Sequence, residues 1–212
     1  MDGLRDYDAW HHQYDDPGSG LSWRLRKVQA HLGEALNRHP GRCRIVSACS
    51  GDGRDVIEVL AGRDDADRVR AVLIELHPGI ADRARAAAAA AGLPSVEVRT
   101  VDAGTTDAYA GAAPADIVLM VGIFGNISDG DLWQTIEAAP QLCAPGATLI
   151  WSRGRDDRDL NSEVRARFTA AEFTELAYEA REQGSRPALG VVRYAGPPMD
   201  LVPGQSLFTF LR

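Results

Sequence analysis

From Arg44 onward, short apolar runs alternate with segments of helical spacing, and this rhythm restricts the fold more than any other feature of the chain. Arg44-Ile45-Val46-Ser47-Ala48-Cys49 reads as a strand; a glycine turn follows, and then Asp55 to Leu60 at helical spacing. Ala71-Val72-Leu73-Ile74-Glu75-Leu76 reads as a second strand, apolar enough to be covered on both faces, and it precedes the alanine-rich helix Ile80 to Ala91, which Gly92-Leu93-Pro94 ends. Val96 to Val101 and Asp116 to Val121 supply a third and a fourth strand. A helix from about Asp129 to Leu142 and the turn Ala144-Pro145-Gly146 lead into a fifth strand, Ala147 to Trp151. Such alternation predicts parallel strands joined by right-handed crossovers. The rhythm then breaks: after a helix Asn161 to Phe168 and a short one near Ala170 come Thr174-Glu175-Leu176-Ala177-Tyr178-Glu179 and a long Gly/Pro-rich stretch, with Ser206 to Leu211 as the final strand. Too little chain separates Pro203 from Ser206 for a helical crossover, so that strand is expected to run antiparallel. The predicted class is therefore α/β: a seven-stranded sheet, mostly parallel, with helices on both faces.

Before this region, Leu21, Leu25, Val28, Leu32, Ala35 and Leu36 recur at helical spacing, with Ser19 or Ser22 available as a cap and His39-Pro40-Gly41 as a stop. Two parts are expected, residues 1–38 and a domain over 39–212. A single core over 212 residues buries roughly 70% of the unfolded chain's surface, so neither disulfides nor a metal is required for stability, and no metal is expected. Three unpaired cysteines, Cys43, Cys49 and Cys143, fit a reducing compartment. No apolar run approaches a membrane span, and Met1-Asp2-Gly3-Leu4-Arg5-Asp6 lacks the order of a signal peptide, so the expected location is cytoplasmic, away from membranes.

The net charge of −7 disfavours a nonspecific grip on phosphate backbones, and no nucleic-acid partner is expected. Lys27 is the only lysine among 23 basic residues, so a Gly-x-x-x-x-Gly-Lys phosphate loop is absent. His11, His12, His31, His39 and His77 all lie early in the chain, which leaves a hydrolase of Ser…Asp…His order without its late histidine.

The strongest local signal is Ser50-Gly51-Asp52-Gly53-Arg54-Asp55 at a strand-to-helix junction, where glycines let the backbone turn tightly beside a ligand at a helix N-terminus. An ordinary tight turn would carry the same glycines. Val56 stands where a dinucleotide fingerprint has its third glycine, which weakens a dehydrogenase reading, as does the lack of a Tyr-x-x-x-Lys pair around Lys27. Glu75 ends the second strand 22 residues after Gly53, a spacing at which a carboxylate accepts hydrogen bonds from ribose hydroxyls, and Asp102 ends the third strand at the same sheet edge.

With these residues in view, the sequence resembles the class I S-adenosylmethionine-dependent methyltransferases, whose sheet is Rossmann-like. Ile45 to Gly53 looks like their glycine-rich first motif, Glu75 their ribose-binding acid, Asp102 their adenine-contacting acid, Asp116-Ile117-Val118-Leu119-Met120 their fourth strand, and Ala144-Pro145-Gly146 the turn before their fifth. Two positions depart from the pattern: Ser47 stands where an acid is usual and Cys49 where the first glycine is usual. The resemblance implies S-adenosyl-L-methionine as cofactor, contacted by Tyr14, Ser50, Gly51, Asp52, Gly53, Glu75, Leu76, Asp102, Ala103 and Gly122. It also implies methyl transfer to a small-molecule acceptor by in-line displacement, with residues 1–38 as a lid. Positioning supplies most of such a rate enhancement, and a base is needed only where the nucleophile must lose a proton.

On the acceptor side, His11, His12 and Asn126 are the catalytic candidates, and Trp10, Phe124 and Arg153 the substrate contacts. Glycines flank Phe124 and Asn126 in Gly122-Ile123-Phe124-Gly125-Asn126, which fits a plain turn as well as a ligand loop. Arg24 and Arg26 either reach the cofactor's carboxylate or solvate a helix face. The competing class is a noncatalytic sensor or partner subunit that holds the cofactor or its demethylated product. A homodimer is left open.

Overall fold

Two apolar faces on each central strand dictate the layering of the computed structural model, which describes residues 16–155, 158–182 and 186–211. The strands are β1 (Cys43–Ala48), β2 (Val69–Ile74), β3 (Val96–Arg99), β4 (Ala115–Met120), β5 (Cys143–Gly154), β6 (Phe173–Ala180) and β7 (Pro187–Tyr194). The helices are α1 (Gly20–Arg38), α2 (Arg54–Ala61), α3 (Pro78–Ala90), α4 (Asp129–Ala138) and α5 (Asn161–Ala170). Successive strand side chains point to opposite faces. Accordingly Val46, Val72, Val118 and Leu149 pack with Leu132, Ile136, Val164 and Phe168 of α4 and α5. On the other face Ile45, Leu73, Ile117 and Ile150 meet Val28 and Leu32 of α1, Val56 and Leu60 of α2, and Ala84 of α3. Helices therefore cover both faces, as the apolar runs predict. Each fully buried Val, Leu or Ile contributes roughly 1.5–3 kcal/mol relative to exposure.

The sheet order is β3-β2-β1-β4-β5-β7-β6. Strands β1 to β5 pair in parallel, and β7 is antiparallel to both β5 and β6. The chain runs outward from β1 to β3 and then returns to β4 on the other side, so the order reverses between β1 and β4. In open α/β sheets, ligands bind beyond the carboxyl ends of the strands at such a point.

Local chemistry explains the element ends. Ser19, not Ser22, caps α1, with its hydroxyl accepting from Ser22 N at 3.0 Å. Ser128 caps α4 in the same way, accepting from Asp131 N at 3.0 Å. Pro140 lacks the amide that would continue α4, so residues from Ala139 to Leu142 form a 3-10 turn instead of the helical extension expected to Leu142. Within the expected lid of residues 1–38, α1 lies in the globular layer, with Val28, Leu32, Ala35 and Leu36 buried.

The end of the chain departs from the sequence reading. The final antiparallel strand is β7, and Ser206 to Leu211 contributes only isolated bridges, Ser206 to Thr105 and Phe210 to Ile127. Leu207 and Phe208 are adjacent yet both buried, which a strand with one covered face does not allow. Their backbone crosses the start of the β3–β4 connection, where Leu207 N donates to Gly104 O at 2.7 Å. A proline at the start of β7 and Gly190 within it hide that strand in the sequence. Gly190 lies opposite Trp151 in the β5–β7 register, and a Cβ there would meet the indole at 2.3 Å. The glycine makes room for the buried ring.

Candidate functional site

The glycine turn sits at the reversal point. Cys49 (φ 51), Gly51 (φ 60) and Gly53 (φ 72) all adopt left-handed conformations. Gly53 is favoured on two counts, since besides its positive φ an added Cβ would lie 2.6 Å from Leu73 Cδ1 and 3.0 Å from Ile57 Cδ1, so those side chains would have to shift. Cys49, in place of the usual glycine, holds a left-handed conformation that costs a non-glycine residue on the order of 1–3 kcal/mol. Burial, reinforced by Glu75 and Asp102, pushes its thiol far above the ordinary range, so it is inert as a nucleophile. Beyond Gly53 the α2 N-terminus has no side-chain cap.

Glu75 is only 8% exposed. Its Oε2 accepts from Gly51 N at 3.0 Å and its Oε1 from His77 N at 2.8 Å. Each carboxylate oxygen has a further lone pair, so two more donors can be accepted. Next to it Leu76 is 62% exposed, and Val101, just before Asp102, is 41% exposed. Two apolar side chains and two acids thus share the ends of β2 and β3. Asp102 is exposed and accepts from Gly104 N at 2.8 Å, while Ala103 is buried and its carbonyl accepts from Tyr109 Oη. In the turn itself, Asp52 pairs with Arg54, and the buried Ser50 hydroxyl has no hydrogen-bond partner among the described residues.

Across the reversal point, Gly122 (φ 80) follows β4, and its amide donates to Ser152 Oγ at 2.9 Å. A Cβ on Gly122 would lie 3.5 Å from Arg24 Nη1, so α1 lays a guanidinium over the start of the β4 loop. The same cation lowers the proton affinity of Asp55 at the start of α2, though burial outweighs it and raises that carboxyl to about 6. Arg24 therefore spans from the glycine-turn side to the β4 side. Helical spacing alone does not decide between cofactor contact and surface for Arg24; the packing of α1 shows where it reaches.

Asn126 holds its own loop: Nδ2 donates to Gly122 O at 2.8 Å, and its carbonyl accepts from Leu211 N at 2.9 Å. The Phe124 ring lies in the core against Trp151, with centroids 6.0 Å apart, so the part of Phe124 at the rim is its backbone carbonyl. Arg153 Nη1 donates to that carbonyl at 3.1 Å. Burial pulls the Arg153 guanidinium below its usual range, and its Nε is enclosed without a partner among the described residues. The structure thus gathers Ser50 to Gly53, Glu75, Leu76, Asp102, Gly122 and Arg153 at the carboxyl ends of the strands, whereas Trp10, His11, His12 and Tyr14 lie outside the described residues.

Among the described residues, one group could hold a metal. His39, Cys43 and Asp116 bring ligand atoms within 4.8 Å of one another at the amino ends of β1 and β4, the opposite edge of the sheet. Burial, then Asp116, raises the Cys43 thiol to about 12, and Asp116 is already engaged by Arg44 N at 2.8 Å and His39 Nε2 at 3.3 Å. No helix among the described residues is long and apolar enough to cross a membrane.

No protein-family model matches the sequence, and no curated protein matches it. Solved structures do match. Magnesium protoporphyrin IX methyltransferase from Synechocystis PCC 6803, with bound S-adenosylmethionine, superposes with TM-score 0.70 at 11% identity, over 91% of this chain and 92% of that one. The 1,6-didemethyltoxoflavin-N1-methyltransferase of Burkholderia thailandensis, with S-adenosylhomocysteine and its acceptor bound, superposes at 0.63 with 16% identity over 92% of each chain. A putative tRNA (m1A22) methyltransferase, Streptococcus pneumoniae Sp1610, gives 0.58 with 14% identity over 84% of this chain and 72% of that one. The fold is that of the class I S-adenosylmethionine-dependent methyltransferases. The variety of acceptors among these neighbours means that fold alone does not select one.

Proposed function

We propose that the protein is an S-adenosylmethionine-dependent methyltransferase acting on a small molecule. The observation that carries this reading is the direct link between the glycine turn and Glu75, with Asp102 beside them, at the point where strand order reverses. In this reading Glu75 accepts from the ribose hydroxyls, while Leu76 and Val101 flank the adenine and Asp102 accepts from its edge. The open space at Gly51, where an added Cβ would meet nothing within 4 Å, and the unpartnered Ser50 hydroxyl suit a ligand lying along the turn. Arg24 receives the carboxylate of the methionine part. The bound cofactor supplies an electrophilic methyl carbon on a good leaving group.

The residues of this chain hold the two reactants in line and keep water out, a contribution that reaches roughly 7–11 kcal/mol in well-oriented systems. Asn126 and Ser152 fix the β4 loop, which sets the distance of the acceptor from the methyl carbon. The segment before α1 is assigned the remaining wall, with Arg24 and Tyr14 as cofactor contacts and Trp10, His11 and His12 on the acceptor side. His11 or His12 serves as base where the acceptor atom carries a proton to be lost. Acidity of the chain favours a small acceptor over RNA.

The sensor reading draws support from a different observation. The described histidines lie elsewhere or face outward: His31 pairs with Glu179, His39 with Asp116, and His77 is exposed at the start of α3. Incubation with methyl-labelled cofactor and a broad acceptor panel separates the two readings. Label transfer supports the enzyme; tight S-adenosylhomocysteine binding with no transfer to any acceptor supports the sensor.

A further inference from the structure

Arg153 differs from the other arginines around the end of β5. Arg155 donates to the Glu182 carboxylate at 3.0 Å, Arg158 to Asp129 at 2.5 Å, Arg165 to Glu175 at 2.6 Å and Arg167 to Glu137 at 2.9 Å. Arg153 is more enclosed than an ordinary surface arginine, yet its one hydrogen-bond acceptor among the described residues is the neutral Phe124 carbonyl. The acids that influence it, Asp129, Asp159 and Glu163, are committed elsewhere. Asp129 holds Arg158, Asp159 accepts both amide groups of Asn161, and Glu163 accepts from Ser162. A half-buried cation whose neighbouring carboxylates are hydrogen-bonded to other groups gains when a further anion reaches it. Nη1 is the guanidinium nitrogen bonded to Phe124 O and Nε is enclosed behind it, which leaves Nη2 as the nitrogen with which a carboxylate oxygen can pair among the described residues.

We infer that Arg153 is a specificity residue and that the acceptor this site takes carries a carboxylate. The inference rests on the methyltransferase reading for its location: Arg153 stands beside the β4 loop, where the acceptor approaches. It explains why an arginine is kept half-buried at this rim with only a backbone carbonyl to bind. Lysine, a point charge without the planar fork, would serve less well there.

The test titrates benzoate, with benzamide as the uncharged molecule of the same shape, into protein saturated with S-adenosylhomocysteine. Benzoate is expected to bind saturably and at least tenfold more tightly than benzamide. Arg153→Gln should abolish that preference and Arg153→Lys should restore part of it. Arg167→Gln, which breaks a paired arginine on α5 whose partner Glu137 does not act on Arg153, should keep it. Equal binding of the two probes, binding of neither, or a preference that survives in Arg153→Gln overturns the inference. Should S-adenosylhomocysteine itself fail to bind the wild-type protein, the methyltransferase reading is what falls, and the benzoate preference is then read on the protein alone.

Discussion

Glu75 Oε2 accepts a hydrogen bond from Gly51 N at 3.0 Å, so the acid that ends β2 and the turn that follows β1 form one unit. A ligand that uses Glu75 is thereby held against the glycine turn. Replacing Glu75 with Ala removes both the acceptor for ribose and the brace on Gly51. The expected loss in S-adenosylhomocysteine affinity is on the order of 1–3 kcal/mol by calorimetry. Glu75→Gln, which keeps one acceptor oxygen, should fall between the two. An unchanged affinity in Glu75→Ala would remove this residue from the site.

Arg24 reaches the same crevice from α1, within 3.5 Å of where a Gly122 Cβ would stand. Arg24→Ala should weaken S-adenosylhomocysteine but leave adenosine, which has no carboxylate, bound as before. Equal losses for the two ligands would show that the variant disturbs the crevice generally rather than removing a carboxylate contact.

Asp55 makes one distinct contribution to the pH dependence of stability. Burial raises its carboxyl to about 6 in the folded protein, against an ordinary carboxyl near 3.9 in the unfolded chain. Between those values the folded state holds the proton more tightly. The contribution of Asp55 to stability is therefore greatest below about pH 4, falls as pH rises to about 6, and stays lower above it. Asp55→Asn keeps an acceptor for Val56 N and removes the buried charge, so at pH 7 it should stabilise the protein by on the order of 1–2 kcal/mol and flatten this stretch of the curve. Denaturant midpoints measured from pH 4 to 7 check both effects. A wild-type and variant difference that does not change with pH would contradict them.

Gly190→Ala places a methyl group where the Trp151 indole already lies, 2.3 Å from its nearest atom. Overpacking of this kind typically costs about 1–3 kcal/mol, and the β5–β7 pair has no slack because Trp151 is fully buried. Thermal unfolding should show the loss. Adding Trp151→Phe should recover part of it, and simple additivity of the two substitutions would argue against direct contact.

Legibility in the sequence followed from how local each signal is. The parallel half of the sheet shows in the alternation from Arg44 to Trp151, because strands covered on both faces must be apolar throughout. Ser50 to Gly53, Glu75 and Asp102 are legible for a similar reason, since each stands at a strand end fixed by that alternation. β7 is not legible: its glycine answers to Trp151, 39 positions earlier, and its opening proline reads locally as a loop. Ser206 to Leu211 misleads in the opposite sense, because its apolar residues suit a strand but Leu207 and Phe208 are buried beneath the Gly104 backbone instead. Arg24 and Asp55 belong to a third group, in which the residue types are visible but their convergence depends on how α1 docks against α2.

Solving the structure with S-adenosylhomocysteine bound measures the account most directly. The adenosine should lie across the carboxyl ends of β1 and β2, with both ribose hydroxyls on Glu75 and the adenine edge at Asp102. A ligand seated elsewhere, or a crevice that accepts NADH and excludes S-adenosylhomocysteine, would contradict it.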